Sequence, residues 1–304
     1  MIFIVIIINF IVIHLAPGNP VYVLAGQVPS QEFLNALEAK FGLDKPLHVQ
    51  LGIYLWSVLH GDLGYSYLRS ESVTSLIFER FPATLLLIFT AMIIALLTGI
   101  FLGVVASRKP YSLSDGLATS VGSLGVSIPT FWLGQILLIL FAVYIQLFPV
   151  GGMRTLVGNM TAAESVLDIL HHLCLPAITL AMFHLAFITR LTRSSMREIL
   201  DEDFMVTARS KGLGDRAILY RHALRNALLP VVTYAGLNTG VLFAGAILTE
   251  TVFSWPGMGT LLYQSLQLRD YPVILGIFVM VSVAVIAANL MVDILYLILD
   301  PRIR

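Results

Sequence analysis

Long apolar runs restrict the fold of this sequence more than any other feature. A membrane-spanning helix needs roughly 20 apolar residues, and we identify six stretches as candidate spans. They are 1–16, 83–107, 117–147, 173–190, 229–250 and 273–299. The chain is 58% hydrophobic and only 12% charged, which is about half the charged share of soluble domains. We therefore predict an all-α polytopic membrane protein with six transmembrane helices.

Among these stretches, 1–16 is short and 117–147 is long for a single span. No basic leader and no small-residue cleavage site precedes Pro17, so 1–16 is predicted to be a span rather than a signal peptide. The 117–147 stretch is long enough to tilt or to contain a break at Pro129. The pairs Gly99/Gly103 and Gly236/Gly240 have the small-xxx-small spacing that lets helices approach closely.

The distribution of Lys and Arg predicts the orientation, because cytoplasmic loops carry the excess of these residues. One side collects Arg108, Lys109, Arg302, Arg304 and eight cations between 190 and 228, from Arg190 to Arg225. The other side has half as many: Lys40, Lys45, Arg69, Arg80, Arg154 and Arg269. We therefore expect both termini and the 191–228 loop to face the cytoplasm.

The 17–82 loop, on the opposite side, is too long to be a mere connector. Apolar residues recur at helical spacing within 30–41, and again from Leu51 to Leu59, between Pro46 and Gly61. Both patterns predict short extracytoplasmic helices. These helices would either form a platform for a soluble partner or pack over the spans.

The chain lacks residues that several functional classes of protein need. The second, third and fifth spans have no charged residue in their interiors, which argues against ion-coupled transport. His184 is a lone candidate, and a lone His in a helix bundle is more often hydrogen-bonded to a neighbour than a proton relay. No Gly-Lys-Ser/Thr sequence is present, so no phosphate-binding loop of an ATPase is expected. Cys174 is the only cysteine, and we predict no metal site. The net charge of zero gives no bias toward nucleic acid.

The 201–230 stretch is unusually polar for this chain. Met196, Ile199, Leu200, Phe204 and Ala208 continue the fourth span as an amphipathic helix, and Gly212 can end it in a left-handed conformation. A second helix, capped by Asp215, is predicted to run to Leu229 before Pro230 opens the fifth span, with Tyr220, Leu224 and Leu228 along one side. Such an element either rests on anionic lipid heads or docks a cytoplasmic partner. The break at Gly212 favours docking.

The sequence TARSKGLGDRAILYRHALRNALLP at 207–230 resembles the EAA-type coupling loop of permeases in ATP-binding-cassette (ABC) importers. The resemblance extends along the chain through LAPGNP at 15–20, FGLDKPLHVQ at 41–50, HGDLGYSY at 60–67, GVSIPTFWLG at 125–134, ETVFSWPGMG at 250–259, RDYPV at 269–273 and VDILYLILDPRIR at 292–304. It is most similar to the subfamily that imports dipeptides, oligopeptides, glutathione or nickel. Val206 replaces the opening Glu of the general motif, and its Leu-Pro comes later, at Leu229-Pro230.

The resemblance implies a type I importer permease fold, with residues 83–304 as its core. It also implies that the ATPase-coupling residues are Thr207, Ala208, Arg209, Lys211, Gly212 and Leu213. Asn238 and Thr239, in the fifth span, are our candidates for lining the translocation path. Trp255, Arg269 and Asp270 are expected to contact an extracytoplasmic binding protein, although a Trp near a span end also fits an interfacial anchor.

The implied partners are a sister permease in a heterodimer, two ABC ATPase subunits, an extracytoplasmic substrate-binding protein and membrane lipid. The chain itself would need no cofactor, since ATP and Mg²⁺ would be bound by the ATPase subunits, and it would not be an enzyme. The implied location is the bacterial inner membrane. Peptides are favoured as substrates, with nickel or glutathione as alternatives. A stand-alone carrier or channel is the competing class.

Overall fold

A computed structural model of the chain describes residues 2–15, 45–108, 110–155, 158 and 160–299. This described part is mostly helical. Its sheet is a short antiparallel hairpin of β1 (Tyr65–Ser66) and β2 (Glu71–Ser72). The predicted 30–41 helix lies outside the described residues.

The helices in chain order are α1 Ile2–Leu15, α2 Leu47–Leu59, α3 Val73–Arg108, α4 Leu113–Ser127, α5 Thr130–Leu137, α6 Ala162–Leu200, α7 Asp203–Ser210, α8 Asp215–Ala217, α9 Leu224–Leu237, α10 Thr239–Val252, α11 Met258–Leu268 and α12 Tyr271–Leu299. Two π-helical segments, Leu138–Tyr144 after α5 and Ile218–Ala223 between α8 and α9, continue their neighbours.

Three described helices, α3, α6 and α12, are long and apolar enough to cross a membrane. Two further pairs of helices qualify when each pair is taken as one bent span. The first pair is α4 with α5 and its π-helical extension, bent by 107°. The second pair is the helix that ends at Leu237 with α10, bent by 59°. The first bend follows Ser127 and includes Pro129, where the sequence allowed a break. The second bend was not predicted. The remaining predicted span, 1–16, coincides with the 14-residue helix α1.

Several helices extend beyond the apolar runs that predicted them. Helix α3 begins at Val73 and passes through Pro82, and α6 begins at Ala162 rather than near residue 173. A capping box explains the start of α6. The Thr161 hydroxyl accepts a hydrogen bond from the Glu164 backbone N–H (3.3 Å), and the Glu164 carboxylate accepts one from the Thr161 N–H (2.7 Å). Such reciprocal bonds satisfy N–H groups at a helix start whatever the hydropathy.

The described residues form two compact units. One comprises the described residues up to Thr84 together with Pro256–Ala287. In it, the predicted helix after Pro46 is confirmed as α2, and Tyr54 on α2 stacks on Phe10 of α1 at a centroid distance of 6.0 Å. A Cβ at Gly276 would lie 2.4 Å from Val73 Cγ1, so α12 packs directly against the start of α3.

The other unit comprises Leu85–Trp255 and the described residues from Ala288 onward. A Cβ at Gly99 would lie 2.7 Å from Ile188 Cγ2, and one at Gly103 would lie 2.5 Å from Thr192 Cβ. The close approach predicted for this glycine pair is therefore confirmed, between α3 and α6. The role of Gly236 and Gly240 stays a prediction.

Candidate coupling site

The candidate coupling site is a short helix and turn that follow the long helix α6. We call residues 203–214 the coupling segment. Helix α6 ends at Leu200, and α7 begins at Asp203 after two intervening residues. After α7, Gly212 adopts φ = 75°, and its N–H donates to the Arg209 carbonyl at 3.0 Å. The left-handed conformation predicted for Gly212 is confirmed.

One face of α7 anchors the segment to the rest of its unit. Met205 is fully buried in a cluster that joins α3, α6 and the helix after the turn, consisting of Val104, Met196, Met205, Ile218, Leu219, Ala223 and Ala227. Phe204, which the apolar pattern placed on the buried side, is exposed. The break at Asp201 and Glu202 explains this difference, because it interrupts the periodicity that was extended from α6.

Five of the six predicted coupling residues lie on the surface of the segment: Thr207, Arg209, Lys211, Gly212 and Leu213. Ala208 is the exception. Its side chain is only 7% exposed, so it packs the segment against its own chain and has little surface to offer a partner. Phe204 and Val206 add exposed apolar side chains beside the exposed cations.

In the helix after the turn, the buried residues stand one position before Tyr220, Leu224 and Leu228, and of these three Leu224 packs partly against the same cluster. Its buried residues include Leu219, Ala223, Ala227 and Val231. The helix does not end at Leu229, because Pro230 lies inside α9. Tyr220 remains half exposed and binds the end of α3, where Arg108 Nη2 donates to its hydroxyl at 3.0 Å.

The predicted path residue Asn238 lies at the bend between α9 and α10. Its Nδ2 donates to the Tyr234 carbonyl at 2.9 Å. Thr239 begins α10, but its side chain lies outside the described part. One turn before the bend, the Tyr234 hydroxyl lies 3.2 Å from Nδ1 of the buried His184. The more common role of a lone intramembrane His, a hydrogen bond to a neighbour, is therefore confirmed.

The sequence did not predict a cleft beside α4 that is lined mainly by hydroxyl-bearing residues. This cavity of about 710 Å³ is lined by Tyr111, Ser112, Asp115, Gly116, Thr119, Ser120 and Ser127. Most of these side chains carry hydroxyl groups, which both donate and accept hydrogen bonds. The signal was present in the Ser, Thr and Gly content of LSDGLATSVGSLGVS, which leaves little continuous apolar surface on this helix.

The three residues expected to contact a binding protein lie in different environments. Trp255 is fully buried, and Asp270 is buried and accepts a hydrogen bond from Ser66 Oγ at 2.5 Å. Neither presents its side chain at the surface of the chain, and the contact expected of both residues, like the alternative of interfacial anchoring by Trp255, stays a prediction. Arg269 is exposed and has φ = 56°.

Comparison with known protein families identifies the chain. The family described as "Binding-protein-dependent transport system inner membrane component" matches residues 99–304, and the N-terminal family of such membrane components matches residues 1–88. The chain belongs to this permease family. The permease is therefore an inner membrane component of a binding-protein-dependent transporter, without an ATPase site of its own. ATP hydrolysis is carried out by partner subunits, and the family generally works with a substrate-binding protein.

Individual relatives agree with this membership. The permease is 44% identical to the dipeptide transport system permease protein DppB of Escherichia coli K12, over 98% of this chain and 93% of that protein. It is 40% identical to the oligopeptide transport system permease protein AppB of Bacillus subtilis 168, over 98% of this chain and 93% of that protein.

Solved structures support the fold. Chains of the MetNI methionine ABC transporter in inward-facing conformations match 74% of the permease and 96% of their own length, with TM-scores of 0.57 and 0.60 and identities of 16% and 17%. An amino acid ABC transporter chain matches 73% of the permease and 93% of its own length, with a TM-score of 0.52 and 17% identity. The predicted all-α fold of ABC importer permeases is thus confirmed.

Proposed function

We propose that this permease forms half of the translocation pathway of an ATP-driven importer of dipeptides or oligopeptides. The observation that carries the proposal is a solvent-exposed coupling segment, anchored by buried Met205, in a chain that matches peptide permeases over nearly its full length. A related permease would supply the other half of the pathway. Two ATPase subunits, which bind ATP and Mg²⁺, would dock against the two coupling segments.

The surface of the coupling segment suits a protein groove. Leu213 and Val206 are exposed apolar side chains on either side of the exposed cations Arg209 and Lys211. An interface needs a few apolar anchors with polar groups around them. Met205 anchors α7 to α3 and α6 through the buried cluster. A displacement of the exposed face of α7 would therefore be transmitted directly to these long helices.

The cleft beside α4 suits peptides as the transported class. A peptide backbone presents alternating N–H and C=O groups, whatever its side chains. The Thr119 hydroxyl already donates to Asp115, and the Ser112 hydroxyl is bonded to that of Ser114. Because a hydroxyl oxygen can also accept hydrogen bonds, this wall can still receive bonds from backbone N–H groups of many peptide sequences. With Asn238 and Thr239, the cleft residues are our proposed lining of the path.

Orientation follows from the distribution of positive charge. The coupling segment, the loop before α4 and the C-terminal tail would lie in the cytoplasm with both termini, because this side carries the excess of Lys and Arg. The hairpin of β1 and β2 and the loop before α12 would face outward. Exposed Arg269 is then a candidate contact for the extracytoplasmic binding protein.

Reconstituted uptake tests the proposal. The chain would be co-expressed with the proteins encoded beside it, purified as a complex and placed in proteoliposomes with the binding protein. We expect uptake of radiolabelled dialanine that requires ATP and Mg²⁺ on the coupling-segment side. ATP-driven uptake of Ni²⁺ without dialanine would overturn the substrate class, and uptake without ATP would overturn the importer mechanism.

In the same assay, Gly212→Asp should abolish uptake while membrane insertion stays normal. Wild-type uptake by that variant would contradict the coupling assignment.

A further inference from the structure

A buried carboxylate at the start of α4 is bound by an arginine near the end of α6. Asp115 is only 4% exposed. Arg193 donates to both of its oxygens, from Nε at 2.5 Å and from Nη2 at 2.7 Å. The Tyr111 backbone N–H adds a third bond at 2.9 Å. This two-pronged geometry fixes the orientation of both groups as well as their distance.

The position of this pair relates it to the coupling segment. Arg193 lies two turns before Leu200, where α6 ends and the coupling segment follows. On the next turn of α6, the Arg197 guanidinium lies 5.8 Å from the centre of the Tyr111 ring. Tyr111 adopts φ = 60° in the turn that leads into α4. Two successive arginines of α6 thus hold the start of α4 and its preceding turn.

The remainder of α4 is already packed closely on α6. A Cβ at Gly125 would lie 2.4 Å from the Met182 carbonyl oxygen, and one at Gly122 would lie 3.6 Å from that of Ala186. These distances show that the two helices lie very close together, but a helix surface without side chains offers little resistance to sliding. The ion pair with Asp115 adds the constraint against sliding, because its paired hydrogen bonds break when either helix shifts along its axis.

Asp115 is buried, whereas the Arg193 side chain is 26% exposed, so the pair is only partly removed from water. Desolvation of the carboxylate still offsets part of the attraction, and apolar replacements of buried ion pairs are often equally stable. Stability alone therefore gives little reason for an ion pair here, whereas directional registry does. Asp115 also lines the hydroxyl-rich cleft, so the helix that the pair holds is the helix that forms the cleft wall.

We propose that Asp115 and Arg193 are positioning residues that carry a displacement of the coupling segment from α6 to the α4 wall of the substrate path. The inference rests on the proposed function. When the ATPase subunits move the coupling segment, α6 shifts, and the ion pair makes α4 shift with it. Without the pair, ATP hydrolysis would continue while the wall responds incompletely.

The test measures ATP hydrolysed per dialanine transported in the reconstituted complex. Asp115→Asn keeps the shape of the side chain and removes its charge. Arg193→Lys keeps the charge and removes the paired Nε and Nη2 donors. The matched control is Asp168→Asn at the other end of α6, where the carboxylate accepts bonds from the Thr155 N–H and hydroxyl, both at 2.7 Å. We expect the ratio to rise about fivefold or more in Asp115→Asn, to rise in Arg193→Lys, and to stay at the wild-type value in Asp168→Asn.

The ratio separates positioning from folding. A merely structural role would lower hydrolysis and transport together and leave their ratio unchanged, and that result would overturn the inference. An equal rise in Asp168→Asn would also overturn it. If Asp115→Asn yields no complex, the ratio of ATP hydrolysed to dialanine transported in Arg193→Lys decides whether the inference holds. A wild-type complex without ATP-driven uptake would instead contradict the proposed function, and the inference with it.

Discussion

At the scale of single residues, the conformation of Gly212 shapes the coupling segment. Gly212 has φ = 75°, whereas Gly214, two residues later, is outside the left-handed region. A Cβ at either position would meet nothing within 4 Å. The two glycines therefore differ in backbone conformation and not in available space. The left-handed conformation costs an L-residue about 1 to 2 kcal/mol.

Alanine substitution of each glycine tests this difference. Gly212→Ala should distort the turn and lower ATP-driven dialanine uptake several-fold, at unchanged membrane insertion, because the strain on Ala is about 1 to 2 kcal/mol. Gly214→Ala adds the same methyl group in open space and should transport like the wild type. Initial uptake rates of the two variants, normalised to the amount of complex, give the comparison. Equal rates would show that the turn at Gly212 has no special role.

Residue-level predictions succeeded where the cause is local. The left-handed Gly212 follows from its place between two helical patterns, and both are visible in the sequence. The burial of Asp270 was not predictable in the same way, because its hydrogen-bond partner Ser66 lies 204 residues away in the chain. In the sequence Arg193 is one positive charge among many, since nothing local indicates that Asp115 is its partner.

At the scale of helices, hydropathy predicted that the spans exist but not where they end or bend. A bilayer requires long apolar helices, so every predicted span coincides with helical structure. Ends depend on individual hydrogen bonds, such as the Thr161 capping box, which extends α6 into a polar stretch. The bend at Asn238 has no comparable signal in hydropathy. The bend after Ser127 coincides with Pro129, which the sequence did indicate.

Helix packing around Gly103 provides a test at this scale. Replacing an exposed helical glycine with Ala usually stabilises by about 0.5 to 1 kcal/mol. We expect that gain, or no change, for Gly116→Ala, because no atom lies within 4 Å of its Cβ position. Gly103→Ala should be destabilising, since its Cβ would lie 2.5 Å from Thr192 Cβ and 2.8 Å from the Thr189 carbonyl oxygen.

Thermal unfolding of the purified complexes checks the sign of each change. A lower midpoint for Gly103→Ala together with an unchanged or higher midpoint for Gly116→Ala would agree with tight packing of α3 on α6. A stabilised Gly103→Ala variant would mean that these helices are farther apart than the structure indicates.

At the scale of the whole molecule, the permease is one part of a larger transporter. Its family membership follows from comparisons over nearly the full chain, and its fold from solved structures that match 74% of it. The stoichiometry of its partners, the orientation of its termini and its peptide substrate are proposals that rest on charge, surface and cleft chemistry. All of them depend on one central claim, which is that the coupling segment is the docking site of the ATPase subunit.

Photo-cross-linking in the assembled transporter tests that claim most directly. A benzophenone amino acid would replace Leu213, which is 38% exposed on the coupling segment, or Trp56, which is 68% exposed on α2. Both sites are exposed and apolar, and the proposed orientation places them on opposite sides of the membrane. We predict an adduct between position 213 and the ATPase subunit and none from position 56. A transport-competent complex in which position 213 cross-links only to lipid would contradict the account.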